Sequence, residues 1–281
     1  MPYKYNPLST SAVYHNTKVK VYPDGSTNIT YSKKPIFRER GVELRPKDDV
    51  IEEILLIEEE QKEPVEKRDR SDEWLRVNRD RVRDICIMND FTHFLTITIN
   101  PEKLDSFDVN AVKRKLRDWL SNMQRRKGLK YVLIPEYHKS GRIHCHALVN
   151  DVLQLEDSGK RCGEKIIYNC PEWRYGFTTA IPLDDNKLRI ANYVTKYLTK
   201  GSYKIFGKYF WSSKNIHREP EIILCDSDYS DIDSPEYRPL GGVDTIGFKY
   251  ENNLLLQDTK GECPDLDFAS ELATEREDFN V

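Results

Sequence analysis

The sequence predicts an α+β fold in which helices pack on a mostly antiparallel central sheet. Residues 94–100 alternate apolar and hydroxyl side chains, which indicates a strand with one core face and one face that carries Thr96 and Thr98. The strand-forming segments 129–137 and 142–150 follow each other closely enough to form a hairpin. Strand and helix patterns succeed each other in the order β, α, β, β, β, α, which is typical of helices layered on such a sheet.

Three segments have the apolar spacing of helices. The first helix is predicted over 71–89, and one of its faces should cover the sheet. That face consists of Trp74, Val77, Arg81, Ile85 and Met88. The second helix is predicted to be capped by Asp108 and to end at Gly128, after the basic turn 125–127. Its inward-facing residues are Val109, Val112, Leu116, Leu120 and Met123. The third helix covers 186–200.

The N-terminal part of the chain is predicted to contain a small β element. The β-prone stretches 18–22 and 27–31 flank the turn signal Pro23-Asp24-Gly25-Ser26, which indicates a hairpin. The charge-dense stretch 48–70 that follows is predicted to be an exposed helix or a linker. We therefore place a domain boundary at its end.

The remaining segments complete the predicted organisation. Residues 151–172 are rich in turn signals and are predicted to be a loop-rich insertion, followed by a strand at 176–183. The predicted domains are an N-terminal β element with a linker (1–70), a central domain that contains the α+β pattern (71–212) and an acidic C-terminal extension (213–281).

Charge is distributed unevenly along the chain, although the formal net charge is only −3. Residues 91–210 contain 21 Lys+Arg against 12 Asp+Glu, whereas 219–281 contain 4 against 17. A basic middle with an acidic end is typical of a polyanion-binding domain with a solvated appendage. We expect 258–281 to be poorly ordered or loosely docked.

Composition also bears on the compartment. No apolar run approaches the ~18 residues that a membrane span needs, so we expect a soluble, cytoplasmic protein without a membrane partner. The six cysteines form no C-x-x-C pair, which favours reduced thiols. Cys162 and Cys170 remain an alternative zinc site, although no second pair accompanies them.

A candidate metal site centres on His144-Cys145-His146. Alternate residues of a strand share a face, so the two imidazoles project together while Cys145 points to the opposite face and into the core. A three-residue loop, 139–141, with Gly141 in the left-handed region would place Glu136 directly opposite His144. Two imidazoles and a carboxylate on one face predict a Mg²⁺ or Mn²⁺ site. His138 is a rival ligand, because it lies on the same face near the loop.

The third helix carries a stripe of candidate catalytic residues. Tyr193 and Tyr197 are four residues apart, and Lys196 and Lys200 each follow a tyrosine by three, so the four side chains share one side of the helix. A phenol has an ordinary pKa near ~10, so it needs a nearby cation or a metal on its target to attack at neutral pH. A structural tyrosine-rich helix is the alternative interpretation.

Together these segments resemble the HUH superfamily of rolling-circle replication proteins, where U is an apolar residue. Residues 91–98 resemble the family's first motif, a strand that supports the site. Residues 135–146 resemble the second, the metal motif, and 193–197 resemble the third in its two-tyrosine form. Cys145 departs from the pattern, because the middle position is usually bulkier and more apolar. The resemblance implies a ferredoxin-like or RRM-like HUH endonuclease fold.

The resemblance also implies an activity. A metal on Glu136, His144 and His146 would polarise a phosphate of single-stranded DNA at a replication origin, and Tyr193 or Tyr197 would attack it to leave a 5′-phosphotyrosine. Lys196 and Lys200 would steady the tyrosine oxygen or the phosphates. The chain has no G-x-x-x-x-G-K-[ST] loop, so helicase and DNA polymerase would be separate or host partners in a bacterial or phage-infected cell.

Two further classes remain open. A regulator that kept the fold and lost the chemistry would bind DNA without cutting it. A transposase or relaxase of the same superfamily would nick DNA, but it would differ in tyrosine count or motif order.

Overall fold

The structure is a computed structural model that describes residues 3–4, 13–38, 70–200, 204–225, 238–239 and 245–247. Most of the charge-dense stretch 48–70 and the acidic segment 258–281 lie outside these residues. The described residues form two compact units, one built from the N-terminal strands with 221–247 and the other within 74–220. In the described part of the chain, no helix is long and apolar enough to cross a membrane.

The elements are numbered here in chain order. The helices are α1 (Arg70–Met88), α2 (Val109–Lys127) and α3 (Lys187–Lys200). The strands are β1 (Tyr3–Lys4), β2 (Val13–Val21), β3 (Thr27–Arg38), β4 (His93–Ile99), β5 (Tyr131–Tyr137), β6 (Ile143–Val149), β7 (Glu156–Cys162), β8 (Lys165–Asn169), β9 (Gly176–Pro182), β10 (Trp211–Ser212), β11 (Glu221–Cys225), β12 (Arg238–Pro239) and β13 (Thr245–Gly247).

The N-terminal unit is an antiparallel sheet of order β1-β11-β2-β3-β13-β12. The predicted hairpin is confirmed: Asp24 Oδ1 accepts hydrogen bonds from the Ser26 backbone and hydroxyl at 3.0 and 2.6 Å, and Gly25 has φ 81°. Strand β11 inserts between β1 and β2. The start of the segment that the sequence pattern assigns to an acidic extension therefore contributes a strand to this sheet.

The second unit is built on an antiparallel sheet of order β10-β5-β6-β4-β9-β8-β7, and the predicted α+β fold is confirmed. Leu95, Ile97 and Ile99 of β4 lie in the hydrophobic core together with Val112 and Leu116 of α2. The alternation of β4 places Thr96 and Thr98 on the opposite face. Helix α2 therefore covers one face of the sheet and leaves the threonine face for other elements.

Helix α2 begins and ends as its sequence predicts. The Asp108 carboxylate accepts hydrogen bonds from the backbone of Asn110 and Ala111, and Gly128 follows the last turn with φ 73°. These groups satisfy backbone donors and acceptors that helix ends leave open. The basic residues 125–127 lie in the last turn, where positive charge favours the helix dipole.

Two predictions about this unit are wrong in detail. Trp74 and Arg81 of α1 are exposed rather than packed, and burial begins in the second half of the helix with Val82, followed by Ile85. The segment predicted as a loop-rich insertion instead forms the hairpin β7–β8, which extends the sheet beyond β9. Strand β7 is mostly exposed and has no apolar alternation, which explains why its sequence gave no strand signal.

Gly176 is the position in this sheet where a side chain has no room. A Cβ atom there would lie 1.9 Å from the Thr98 carbonyl oxygen and 2.7 Å from the Asn100 nitrogen. We expect Gly176→Ala to lower the free energy of unfolding by about 3 kcal/mol, the upper end for overpacking, because β4 and β9 would have to separate. Chemical unfolding measures the free energy of unfolding of Gly176→Ala and of the control variant, Gly163→Asn. Equal stability of the two variants would contradict the account.

Candidate active site

The hairpin β5–β6 sets the positions of the predicted metal ligands. Glu136 pairs with His144 in the antiparallel register, as the loop length predicts. Gly141 has φ 83°, and the backbone nitrogen of His138 donates to the Arg142 carbonyl at 2.8 Å. A three-residue loop with its last residue in the left-handed region closes the hairpin, so the register prediction is confirmed.

Glu136 and His146 are in direct contact. Their Oε2 and Nε2 atoms lie 3.1 Å apart, and His144 and His146 are buried, while Glu136 is half-buried. The carboxylate thus reaches diagonally from the position opposite His144 to the second histidine. Glu136 lies on the histidine face, as predicted.

Two threonines of β4 lie against the other nitrogens of the histidine rings. Thr96 Oγ1 is 3.3 Å from His146 Nδ1, and Thr98 Oγ1 is 3.5 Å from His144 Nδ1. Both threonines are fully buried and pair in register with the same histidines. A hydroxyl at Nδ1 orients each ring so that Nε2 is the nitrogen left to face a ligand.

Helix α3 carries the two tyrosines to this face of the sheet. Tyr193 and Tyr197 are buried, with hydroxyl oxygens 2.6 Å apart, so one phenol donates a hydrogen bond to the other. The Lys196 ammonium lies 4.1 Å from the centre of the Tyr193 ring. The side chain of Lys200 lies outside the described part of the structure.

Tyr197 also contacts the candidate metal ligands directly. Its ring stacks on that of His146, with centroids 3.9 Å apart and an angle of 22°. Phe94 of β4 lies beside His146 and both tyrosines, at centroid distances of 5.5 to 6.1 Å. The tyrosine helix and the histidine strand therefore form one aromatic cluster on the threonine face.

Polar contacts that were not apparent in the sequence hold α3 in place. The guanidinium of Arg83 on α1 donates two hydrogen bonds, of 3.0 and 3.2 Å, to the Asn192 side-chain oxygen next to Tyr193. Lys187, in the first turn of α3, forms an ion pair of 2.6 Å with Asp90. The partners are about a hundred residues apart in sequence, so no local pattern could have revealed them.

The side chains of Glu136 and His146 offer the oxygen and nitrogen ligands that divalent cations such as Mn²⁺ accept. Two neighbouring ligands, each about 2.1 Å from an octahedral ion, are about 3 Å apart, close to the 3.1 Å between Glu136 and His146. Within the described residues, no three His, Cys, Asp or Glu side chains already surround a common point closely enough to hold an ion. Glu136, His144 and His146 are therefore not assembled into a metal-binding cluster in this structure.

The rival candidates occupy other positions. The ring of His138 lies 5.1 Å from that of His144, at the edge of the hairpin loop. Cys145 is fully buried in the core on the opposite face, as predicted, and burial raises the pKa of its thiol. Cys162 and Cys170 belong to no cluster of three metal-ligating side chains in the part of the chain that is described.

The fold and the site define a class of protein in which a histidine-bearing β-hairpin faces a tyrosine helix across one side of an antiparallel sheet. Residues 92–202, from the start of β4 to the end of α3, match the model of the family described as replication-associated protein ORF2/G2P. This match supports a role in replication for the matched segment, which is less than half of the chain. No curated protein and no solved structure matches the chain.

Proposed function

We propose that the protein is a rolling-circle replication initiator of the two-tyrosine HUH type, which nicks and joins single-stranded DNA. The observation that carries the proposal is the stacking of Tyr197 on His146 while the Nε2 atom of His146 faces Glu136. The proposed nucleophile is thereby adjacent to two of the three proposed metal ligands. The family match supports a role in replication.

The proposed reaction begins with attack by a tyrosine oxygen on a backbone phosphorus. The bond from phosphorus to the 3′-oxygen breaks, so the strand leaves with a 3′-hydroxyl after protonation and the 5′-phosphate remains esterified to tyrosine. Glu136, His144 and His146 would hold Mg²⁺ or Mn²⁺, whose charge makes the phosphorus more electrophilic. Because no water attacks the phosphorus, the bond energy is conserved in the phosphotyrosine and can be used for joining.

The hydrogen bond between Tyr193 and Tyr197 suits an exchange between two nucleophiles. After one phenol has taken the first strand, the neighbouring hydroxyl, 2.6 Å away in the structure, would attack the newly made junction. The first tyrosine would then be released when the 3′-hydroxyl attacks its phosphate. Cutting and rejoining would thus alternate between the two residues.

The lysines of α3 would supply positive charge near the attacking oxygen. Lys196 already lies over the Tyr193 ring, and a cation nearby favours the phenolate. Lys200, one turn further, would take the same role beside Tyr197. The basic end of α2, 125–127, would contact the DNA backbone. Helicase and polymerase would be separate partners.

The burial of both phenols has a consequence for substrate entry. Tyr193 and Tyr197 expose no more than 4% of their surface, so a phosphate can reach them only after the phenol side chains or the residues that cover them have moved.

A metal-dependence assay tests the proposed function. End-labelled single-stranded DNA containing the replicon's origin should be cut in Mg²⁺ or Mn²⁺ and left intact with EDTA. Binding without cutting under all conditions would favour a non-catalytic DNA-binding regulator. Cutting that depends on only one of Tyr193 and Tyr197 would favour a transposase or relaxase.

The threonines behind the histidines give a prediction of their own. Thr96→Val and Thr98→Val keep the shape of the side chain but remove the hydroxyl at Nδ1, so the imidazoles lose their orientation. We expect each variant to bind Mn²⁺ about 10- to 100-fold more weakly, the usual cost of removing a group that orients a metal ligand. Titration calorimetry measures the affinity, and Thr96→Ser should restore most of it. Unchanged Mn²⁺ affinity in both valine variants would contradict the orienting role.

A further inference from the structure

Helix α2 carries an excess of positive charge. Its 19 residues include seven Lys and Arg and one acidic residue, Asp118. Helix α1 has the same length, but its five arginines are accompanied by four acidic residues. Charges of both signs are usual on a helix face that is only solvated. The composition of α2 is therefore not explained by solvation alone, whereas that of α1 is.

Three arginines of α2 lie along its outer face. Val112, Leu116 and Leu120 are buried, so the opposite side of the helix faces solvent. The residues on that side recur at the helical spacing i, i+3, i+7 and i+11, and all are exposed: Arg114, Arg117, Ser121 and Arg125. The three arginines are termed the arginine row. At a rise of about 1.5 Å per residue, the row extends over about 16 Å.

Nearby carboxylates do not cancel the positive charge of α2. Lys127 forms an ion pair with Glu172 at 2.9 Å, and Arg117 lies 4.0 Å from Asp118, with both of the latter side chains more than half exposed. Among the described residues, the other five cations of α2 form no ion pair. Residues 100–130, which include the acidic loop before the helix, contain nine Lys and Arg against four Asp and Glu. The region keeps an excess of four positive charges when Glu172 is also counted.

Structural roles account for only part of this charge. The helix dipole favours cations in the last turn, 125–127, but it gives no reason for the four cations of 113–117. Lys115 lies 5.2 Å from the centre of the Tyr175 ring, so one of these four contacts a neighbouring side chain. Lys113 and Arg117 are one turn apart, and like charges at this spacing destabilise a helix. A bound polyanion would remove this repulsion.

The outer face of α2 suits duplex DNA better than a single strand. Surfaces that bind single strands combine cations with aromatic rings on which bases stack, and the aromatic residue of α2, Trp119, is buried. Duplex DNA carries about one negative charge per 1.7 Å of its axis, and phosphate contacts alone can bind it. Guanidinium groups are well suited to these contacts, because their planar fork matches two phosphate oxygens.

We propose that the arginine row of α2 binds the phosphate backbone of duplex DNA that flanks the single-stranded cutting site. The inference rests on the proposed function, because that function supplies the DNA. Helix α2 packs on the face of the sheet that carries Leu95 and Ile97, whereas the candidate metal ligands lie on the threonine face. The arginine row is thus a second DNA-binding surface, on the other side of the sheet from the candidate active site.

The test compares two pairs of exposed arginines with the same spacing. Arg114→Gln with Arg117→Gln changes the arginine row, and Arg76→Gln with Arg79→Gln makes the same change of charge on α1. Glutamine forms helices about as well as arginine, so both variants should fold. Binding of a short duplex is measured by anisotropy in EDTA over a range of salt concentrations, beside a single strand of the same sequence.

The expected result is a change in salt dependence. Each lost phosphate contact lowers the slope of log affinity against log salt by about 0.9, so the row variant should lose about 1.8 for the duplex. The α1 variant should keep the wild-type slope. Binding of the single strand should change less in the row variant, and its retention also shows that this variant is folded.

Three results would overturn the inference. Absence of duplex binding by the wild type, or a wild-type slope in the row variant, would show that the row contacts no duplex. Equal losses in both variants would show an effect of net charge alone. A larger loss with the single strand than with the duplex would assign the row to the single strand. Cutting of a single strand by the wild type in Mn²⁺ is measured separately, which distinguishes failure of the duplex site from failure of the proposed nickase function.

Discussion

Replacing His144 or His146 with alanine is expected to abolish nicking while leaving binding of single-stranded DNA mostly intact. Either change removes a nitrogen from the proposed metal site, and a catalytic metal contributes several kcal/mol to the transition state, so we expect cutting to fall by about a thousand-fold or more. Phosphate contacts by Lys and Arg side chains should supply the salt-dependent affinity, and alanine at either histidine removes none of these charges. Cutting rates on a labelled strand and binding by anisotropy measure the two effects.

The control for this pair is His217→Ala, which makes the same substitution at an exposed residue outside the site. It should cut and bind like the wild type. A parallel titration should show weaker Mn²⁺ binding in the two site variants and in Glu136→Gln. If His144→Ala keeps wild-type cutting while His146→Ala is inactive, the three-ligand site is wrong and the Glu136–His146 pair acts without His144.

The tyrosine variants have the second large expected effect. Phenylalanine removes only the hydroxyl, so the stacking of residue 197 on His146 and the contacts of Phe94 should persist. Because only one phenol at a time can lie in line with a given phosphate, Tyr193→Phe and Tyr197→Phe should each retain some nicking but fail to complete an exchange of strands. The double variant should lose at least about a thousand-fold in cutting and form no covalent adduct.

The control for the tyrosine variants is the same substitution at another tyrosine. Tyr209→Phe alters a tyrosine outside the cluster and should leave both cutting and joining unchanged. If Tyr197→Phe behaves like the wild type in nicking and joining while Tyr193→Phe is inactive, Tyr197 has only a structural role. The two-nucleophile mechanism would then be replaced by a single-tyrosine one.

The local geometry of the site could be predicted because short-range rules determine it. The length of the loop 139–141 fixes the hairpin register, and strand alternation separates Thr96 and Thr98 from the core residues of β4. Helical spacing likewise places Tyr193 and Tyr197 on one side of α3. Each of these inferences needs only a few neighbouring residues.

The remaining features depend on tertiary contacts or lack a local signal. Strand β11 pairs with β2, about two hundred residues earlier in the chain, and no local pattern specifies such a partner. The contact of Arg83 with Asn192 likewise joins two residues that are far apart in sequence. Strand β7 is polar and mostly exposed, so it has no apolar alternation. In α1, the helical spacing of apolar residues predicts that Trp74 packs on the sheet, but only the second half of the helix is buried.

The central claim is that a tyrosine of α3 becomes covalently joined to DNA beside the Glu136–His146 pair. Wild-type protein is incubated with a single-stranded origin fragment in Mn²⁺, denatured, and digested, and the DNA-linked peptide is identified by mass spectrometry. The account predicts an adduct on the peptide that contains Tyr193 and Tyr197, absent in EDTA and absent from the double phenylalanine variant. An adduct on any other residue, or cut DNA carrying no covalently attached protein, would contradict it.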